Sequence, residues 1–297
     1  GYEVRAATVR VSTGGVWAAL VLSLAVCIPL AGLLWGHYSM DWTARDVEEQ
    51  AGLEEVRADL LALGLPGYVL DDLAPEDLAA LEGAVRVELD VYEEPFGNGR
   101  GVVTVEGGRR MIHTVYEREL RLTSIAVELP GRHWRIIQHF LWQADPPMWG
   151  GTECIKLWPA YRMMDAYWPQ GEPSGRVLYD RDGATYTAPY HFLGELNYSY
   201  DSLFWGTTDS TDLFATFSLP ADGVYCRGYV TYGFETLNDG CILDDWISYT
   251  HQVRRLNYPL MTAQQHDMAG IWNGRGSFRT AQNAVQFYPY WPDSSNE

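Results

Sequence analysis

The chain reads as mainly β, an antiparallel sandwich or barrel-like ectodomain set behind an N-terminal transmembrane helix and a short helical neck. Three observations predict this. The stretch from Val16 to Trp35 is uncharged and mostly apolar, and a helix of that length, at about 1.5 Å per residue, spans about 30 Å, the hydrocarbon thickness of a bilayer. From Val85 onward the hydrophobic period changes to two, the period of strands with one wet face. Turn-forming residues then recur roughly every 8–15 residues, as in antiparallel sandwiches and barrels.

The elements follow in order. Trp17 and Trp35 stand near the two ends of the apolar stretch, where indoles favour the water–lipid boundary. Arg5 and Arg10 precede it, and Asp41, Asp46, Glu48 and Glu49 follow it. The positive flank faces the cytoplasm, so residues 1–15 are expected inside, residues 16–36 in the bilayer and the remainder outside the cell membrane. Pro29 kinks such a helix without excluding it from lipid. Residues 41–83 form the expected neck. Thr43 followed by Asp46 resembles a helix start, and Leu53, Val56, Leu60 and Leu63 recur at helical spacing. Gly64 and Pro66 end that helix. Ala74-Pro75-Glu76 opens a second, which runs through Leu81 and stops at Gly83.

Residues 84–291 are expected to form one β-rich domain, with a flexible tail at 292–297. Val85, Val87, Leu89 and Val91 alternate with Arg86, Glu88 and Asp90. Further strands are predicted over residues 102–105, 121–129, 134–142, 176–179, 184–188, 214–219, 225–235 and 242–250. Asp180-Arg181-Asp182-Gly183 is a turn signal, and Asn238-Asp239-Gly240 predicts a hairpin between the last two strands. Helical stretches are predicted over residues 159–167 and 262–270.

Composition narrows the function. The chain is 47% hydrophobic and 20% charged with a net charge of −18, which suits a globular protein and disfavours disorder. Sixteen acids against three arginines between Asp41 and Glu94 place most of the negative charge next to the anchor. Nucleic acid is excluded as a partner, because binding it needs a basic surface. Four cysteines, Cys27, Cys154, Cys226 and Cys241, allow at most one disulfide outside the membrane, so the fold rests on its core.

Candidate chemistry comes from three places. The chain holds 12 Trp, 19 Tyr and 9 Phe, and rings such as Tyr198, Tyr200, Trp205 and Trp291 suit stacking on sugar faces or protein partners. Asp180, Asp182 and Asp239 lie in turns and offer the oxygen ligands that calcium takes. No paired zinc spacing, serine-hydrolase elbow, phosphate loop or dinucleotide fingerprint occurs. The third is Gly151-Thr152-Glu153-Cys154-Ile155-Lys156-Leu157, with His139 fifteen residues before the cysteine. This segment resembles the active-site motif of the L,D-transpeptidases, Ser-x-Gly-Cys-Ile-Arg-Leu or Met with an upstream histidine. The resemblance implies Cys154 as a thiolate nucleophile, His139 as its partner and Lys156 in place of the family arginine. Glu153 and Phe140 depart from it, standing where the family has glycine.

The residues favour a membrane-anchored, non-catalytic domain that binds or senses an envelope glycan or a protein partner. The alternatives are a cell-wall-active cysteine enzyme using Cys154 and a structural subunit of a membrane assembly.

Overall fold

A computed structural model describes residues 13–35, 37–95, 100–106, 109–115, 120–144, 151–159, 167–202, 206–236, 243–254, 261–269 and 276–288. Helix α1 (Thr13–Trp35) comes first. Its described side chains, from Gly14 to Cys27, are all exposed. No helix among the described residues is long and apolar enough to cross a membrane.

The body is mainly β. Among the described residues the strands are β1 (Thr43–Ala44), β2 (Arg86–Glu94), β3 (Arg100–Glu106), β4 (Arg109–Val115), β5 (Leu120–Leu129), β6 (His133–Trp142), β7 (Glu153–Pro159), β8 (Tyr167–Arg181), β9 (Ala184–Ala188), β10 (Phe192–Ser202), β11 (Gly206–Phe217), β12 (Val224–Glu235), β13 (Leu243–Gln252) and β14 (Phe278–Phe287). A seven-stranded antiparallel sheet runs β1-β9-β8-β12-β6-β5-β2, and a five-stranded one runs β10-β11-β7-β13-β14. β3 and β4 form a separate two-stranded sheet among the described residues.

Alternation builds the core between the sheets. Trp134, Ile136, Phe140 and Trp142 of β6 meet Ile155 and Leu157 of β7, Phe217 of β11 and Ile247 and Tyr249 of β13. At one seam, Asn283 of β14 donates to the Asp90 carbonyl of β2 at 3.1 Å. The opposite seam is closed by the segment that leaves α1. Tyr38 donates its backbone N–H to Ser218 at 2.8 Å, Trp42 packs edge-on against Tyr179, and Thr43 pairs with Thr187. Thr43 is therefore a strand residue, and the helix expected to start there begins as α2 (Glu54–Ala62).

Three helices, α2, α3 (Gly67–Asp72) and α4 (Pro75–Ala79), lie on the outer face of the seven-stranded sheet. Leu60, Leu65, Val69, Leu70, Leu73, Leu78 and Leu81 pack there against Ile125, Val127, Ile137 and Tyr229. The expected neck at 41–83 is thus part of the folded body. Its apolar stripe finds a sheet to cover, and burying that stripe outweighs the mutual repulsion of acids that stay in water. A short fifth helix, α5 (Ala263–Ala269), covers one end of the outer face of the five-stranded sheet.

Other expectations change as well. The hairpin expected at Asn238-Asp239-Gly240 does not form, because β12 and β13 belong to different sheets; the loop itself lies outside the described residues. The helix expected over 159–167 is contradicted at both ends, where Pro159 closes β7 and Tyr167 opens β8. The Asp180–Gly183 turn does join β8 to β9. Asp182 at φ 51° and Gly183 at φ 78° give it the left-handed pair that matches strand twist.

Candidate ligand-binding face

Strand β7 turns Glu153, Ile155 and Leu157 into the sandwich and Cys154, Lys156 and Trp158 onto the outer face of its sheet. Opposite Trp158 on β13 stands Trp246, and Ser248 faces Lys156. Phe214 of β11 is the partner of Lys156 on the other side. Two indoles thus meet directly across a strand pair. Their rings are parallel to within 6°, with centroids 6.2 Å apart, and Trp246 is 38% exposed.

Beside the indoles lies a charged cluster. Lys156 Nζ donates to Tyr198 Oη at 2.8 Å, lies 3.1 Å from Asp212 Oδ2 and sits 5.1 Å above the Trp158 ring. Tyr198 donates in turn to Asp212 at 2.5 Å. Burial pulls the Lys156 pKa down, but Tyr198 and Asp212 outweigh it, and the net shift is upward. The ammonium is therefore held charged, with its counter-charge buried beside it. The side chain of Tyr200 lies outside the described part of β10. On the other side Gln282, Ala284 and Gln286 of β14 continue the face, and Gln286 donates to Asp244 at 3.0 Å.

The face changes character beneath α5. Cys154 is fully buried among Phe214, Met261, Ala263 and Phe278. Burial, then the Asp267 carboxyl, push its thiol pKa well up. Asp267 is itself raised to about 7 by burial, partly offset by Thr250, which donates to it at 2.8 Å.

His139 lies elsewhere. It belongs to β6 in the seven-stranded sheet and turns toward the helices, where its Nε2 meets Asp72 at 2.8 Å and its ring packs edge-on to Tyr68. Arg227 donates to the other Asp72 oxygen at 2.7 Å, and Arg176 grips Glu49 and the Asp72 and Leu73 carbonyls. These groups fasten the helices to the sheet. The nucleophile–histidine arrangement implied by the transpeptidase-like segment is not assembled, because Cys154 and His139 point outward from opposite sheets. Glu153 is paired inside the sandwich with His251 at 2.6 Å. Of the three residues carried by that resemblance, Lys156 alone belongs to the aromatic face.

The other expected residues divide. Trp205, Trp291 and Asp239 lie outside the described residues. Asp180 accepts from Arg227 at 3.1 Å and Thr185 at 2.8 Å, a structural role at a strand end, while Asp182 is exposed. Among the described residues no group of three or more His, Cys, Asp or Glu side chains is arranged to hold a metal ion. Cys154 is a free thiol.

Sequence reasoning missed Trp158, Trp246 and Asp212 as site residues. Trp246 was readable: Leu243, Asp245, Ile247 and Tyr249 share one parity of β13, which leaves Asp244, Trp246 and Ser248 on the other. Trp158 was obscured by Pro159, which suggested a helix start. No protein-family model matches this sequence, and no curated protein matches it.

Proposed function

We propose that this chain is a non-catalytic binding domain that holds an envelope glycan on the outer face of its five-stranded sheet and is displayed from a membrane by α1. The observation that carries the reading is the cross-strand pair Trp158–Trp246, half-open to solvent and bordered by Lys156, Asp212 and Tyr198. Leaving two indoles at a surface forgoes burial worth roughly 1.5–3 kcal/mol per large side chain, so an exposed pair argues for a partner. A sugar ring suits it, because its C–H face packs on an indole while its hydroxyls reach charged and amide groups at the rim.

The anchoring half rests on α1. Its sequence contains no charged residue between Thr13 and Trp35, and its described side chains find no cover in the body. The stretch from Val16 to Trp35 extends beyond that described part. Carbonate-resistant sedimentation of the full chain with membranes, lost on deleting the helix, is the expected outcome.

Trp246→Ala tests the binding half on a glycan array. The expected loss is about tenfold, or about 1.4 kcal/mol, with an unchanged unfolding midpoint because the side chain is on the surface. Undiminished glycan signal in both Trp246→Ala and Trp158→Ala would remove the reading.

A further inference from the structure

The charges around the two indoles are Lys156, Asp212 and Asp244. Among the described residues Lys156 is the sole cation there, and its ammonium is already committed to Asp212 at 3.1 Å and to the Tyr198 hydroxyl at 2.8 Å. Asp212 is 4% exposed and cannot be drawn away by solvent. Asp244 adds a negative charge at the rim, held by Gln286, and the whole chain carries −18. Among the described residues an acidic polymer approaching this face meets no uncompensated positive charge, and the surround repels it.

The layout also sets a length. Tyr198 on β10 and Trp246 on β13 are three strand steps apart. At ~4.8 Å per step this is about 14 Å, the reach of roughly three hexoses in an extended chain. The hydrogen-bonding groups along this face, Lys156 and Ser210 between them and Gln282 and Gln286 on β14 just beyond Trp246, match hydroxyls rather than anions.

We infer that the ligand is an uncharged pyranose chain of about three or more sugars, with equatorial hydroxyls that leave its C–H faces free for the indoles, lying across the strands from Tyr198 to Trp246. This rests on the glycan-binding reading above and names its substrate class. Lys156 acts as a neutralised positioning group: tied to Asp212, it backs the Trp158 ring and does not recruit anions.

The test is affinity electrophoresis of the full chain in non-ionic detergent, through native gels containing a neutral polymer (hydroxyethyl cellulose) or an acidic one (polygalacturonate). Retardation by a neutral polymer that persists at high salt and weakens about tenfold in Trp246→Ala is the supporting result. Retardation by the acidic polymer alone, lost in Trp246→Ala and in salt, would overturn the uncharged-ligand inference while leaving the aromatic face as the binding site. Retardation that Trp246→Ala and Trp158→Ala leave intact, or no retardation in any gel, would overturn both. Asp212→Asn, checked for folding by its melting curve, provides a second arm. It frees the Lys156 charge, and a salt-sensitive retardation by polygalacturonate should appear that the unaltered chain lacks. If it does not appear, neutralisation of Lys156 is not what excludes anions.

Discussion

Replacing Asp245 by asparagine should make this protein more stable at mildly alkaline pH and leave it nearly unchanged in mild acid. Asp245 points into the middle of the sandwich, where Gln138 donates to its Oδ2 at 2.6 Å and Tyr232 bonds its Oδ1. Gln138 accepts in turn from Ser124 at 2.6 Å, and Asn283 donates to Ser124 at 3.1 Å. Burial raises the carboxyl pKa from 3.8 to about 7, against the opposing pull of the bonds from Tyr232 and Gln138. The folded state therefore holds a proton that the unfolded chain releases above pH 4. Stability falls as pH climbs from about 4 toward 7 and levels off beyond. A shift of about three units at 1.36 kcal/mol each gives a swing of about 4 kcal/mol across that window. Asparagine copies the protonated acid in shape and in bonding, with an oxygen for Gln138 and an N–H for Tyr232. Urea unfolding followed by tryptophan fluorescence would measure it, for both proteins, at about pH 4 and about pH 8. The variant should match the unaltered chain at the lower pH and exceed it by up to roughly 4 kcal/mol at the higher one. Asp267, also raised to about 7, affects both proteins alike and cancels in the difference. A stability difference that is the same at both pH values would refute the reasoning.

Asp72→Ala removes a 2%-exposed carboxylate and leaves Arg227 and His139 without it, so a loss of about 3–5 kcal/mol is expected in the same unfolding measurement. Burial alone would raise the Asp72 pKa, but His139 and Arg227 outweigh it and hold it below the ordinary value. Its contribution is thus present above about pH 4 and fades as pH falls further, and the variant should lack that acid-side fade. Gly175→Ala should be among the most damaging single changes, at about 3 kcal/mol or more: Gly175 has φ +152°, and an added Cβ would lie 2.1 Å from the Tyr229 carbonyl oxygen. A melting point within a degree or two of the parent would show that β8 and β12 can separate there. Cys154 should resist thiol reagents in the folded chain and react only on unfolding, read by mass mapping of the adducts, because it is buried and its thiol pKa is raised.

Much of the sheet architecture was legible because β-branched and aromatic residues cluster within single strands. The stretches 121–129, 134–142 and 184–188 fall within or coincide with β5, β6 and β9. Strand β14 was missed for a physical reason: Phe278–Phe287 is an edge strand with polar residues on both parities. Strand β10 was readable, since Phe192, Leu196 and Tyr198 alternate with Glu195, Asn197 and Ser199. The pairing of strands was legible at the Asp180–Gly183 turn, which joins β8 to β9, and failed at the second predicted hairpin. Asn238-Asp239-Gly240 has hairpin chemistry, yet the strands on either side enter different sheets. Local turn propensity cannot see that Tyr232 and Asp245 meet across the sandwich rather than along a ladder. The site was half legible: Tyr198 and Lys156 were named for separate reasons, and the fold brings them into one hydrogen bond.

The buried polar groups and the aromatic face are two consequences of one register. On β13, Asp245 faces inward and Trp246 outward, paired with Pro159 and Trp158 of β7. A slip of one residue would turn every side chain over, sending Asp245 and His251 to the surface and Trp246 into the core. Hydrophobicity alone opposes that slip weakly here, because an indole is well placed in either environment. The bonds from Gln138 and Tyr232 to Asp245, and from His251 to Glu153, exist in one register alone. Losing them while their partners stay buried would strand several polar groups at about 1–3 kcal/mol each. A core that is costly to maintain near neutral pH thereby holds two indoles opposite each other on the outside, the one arrangement in which they form a continuous face.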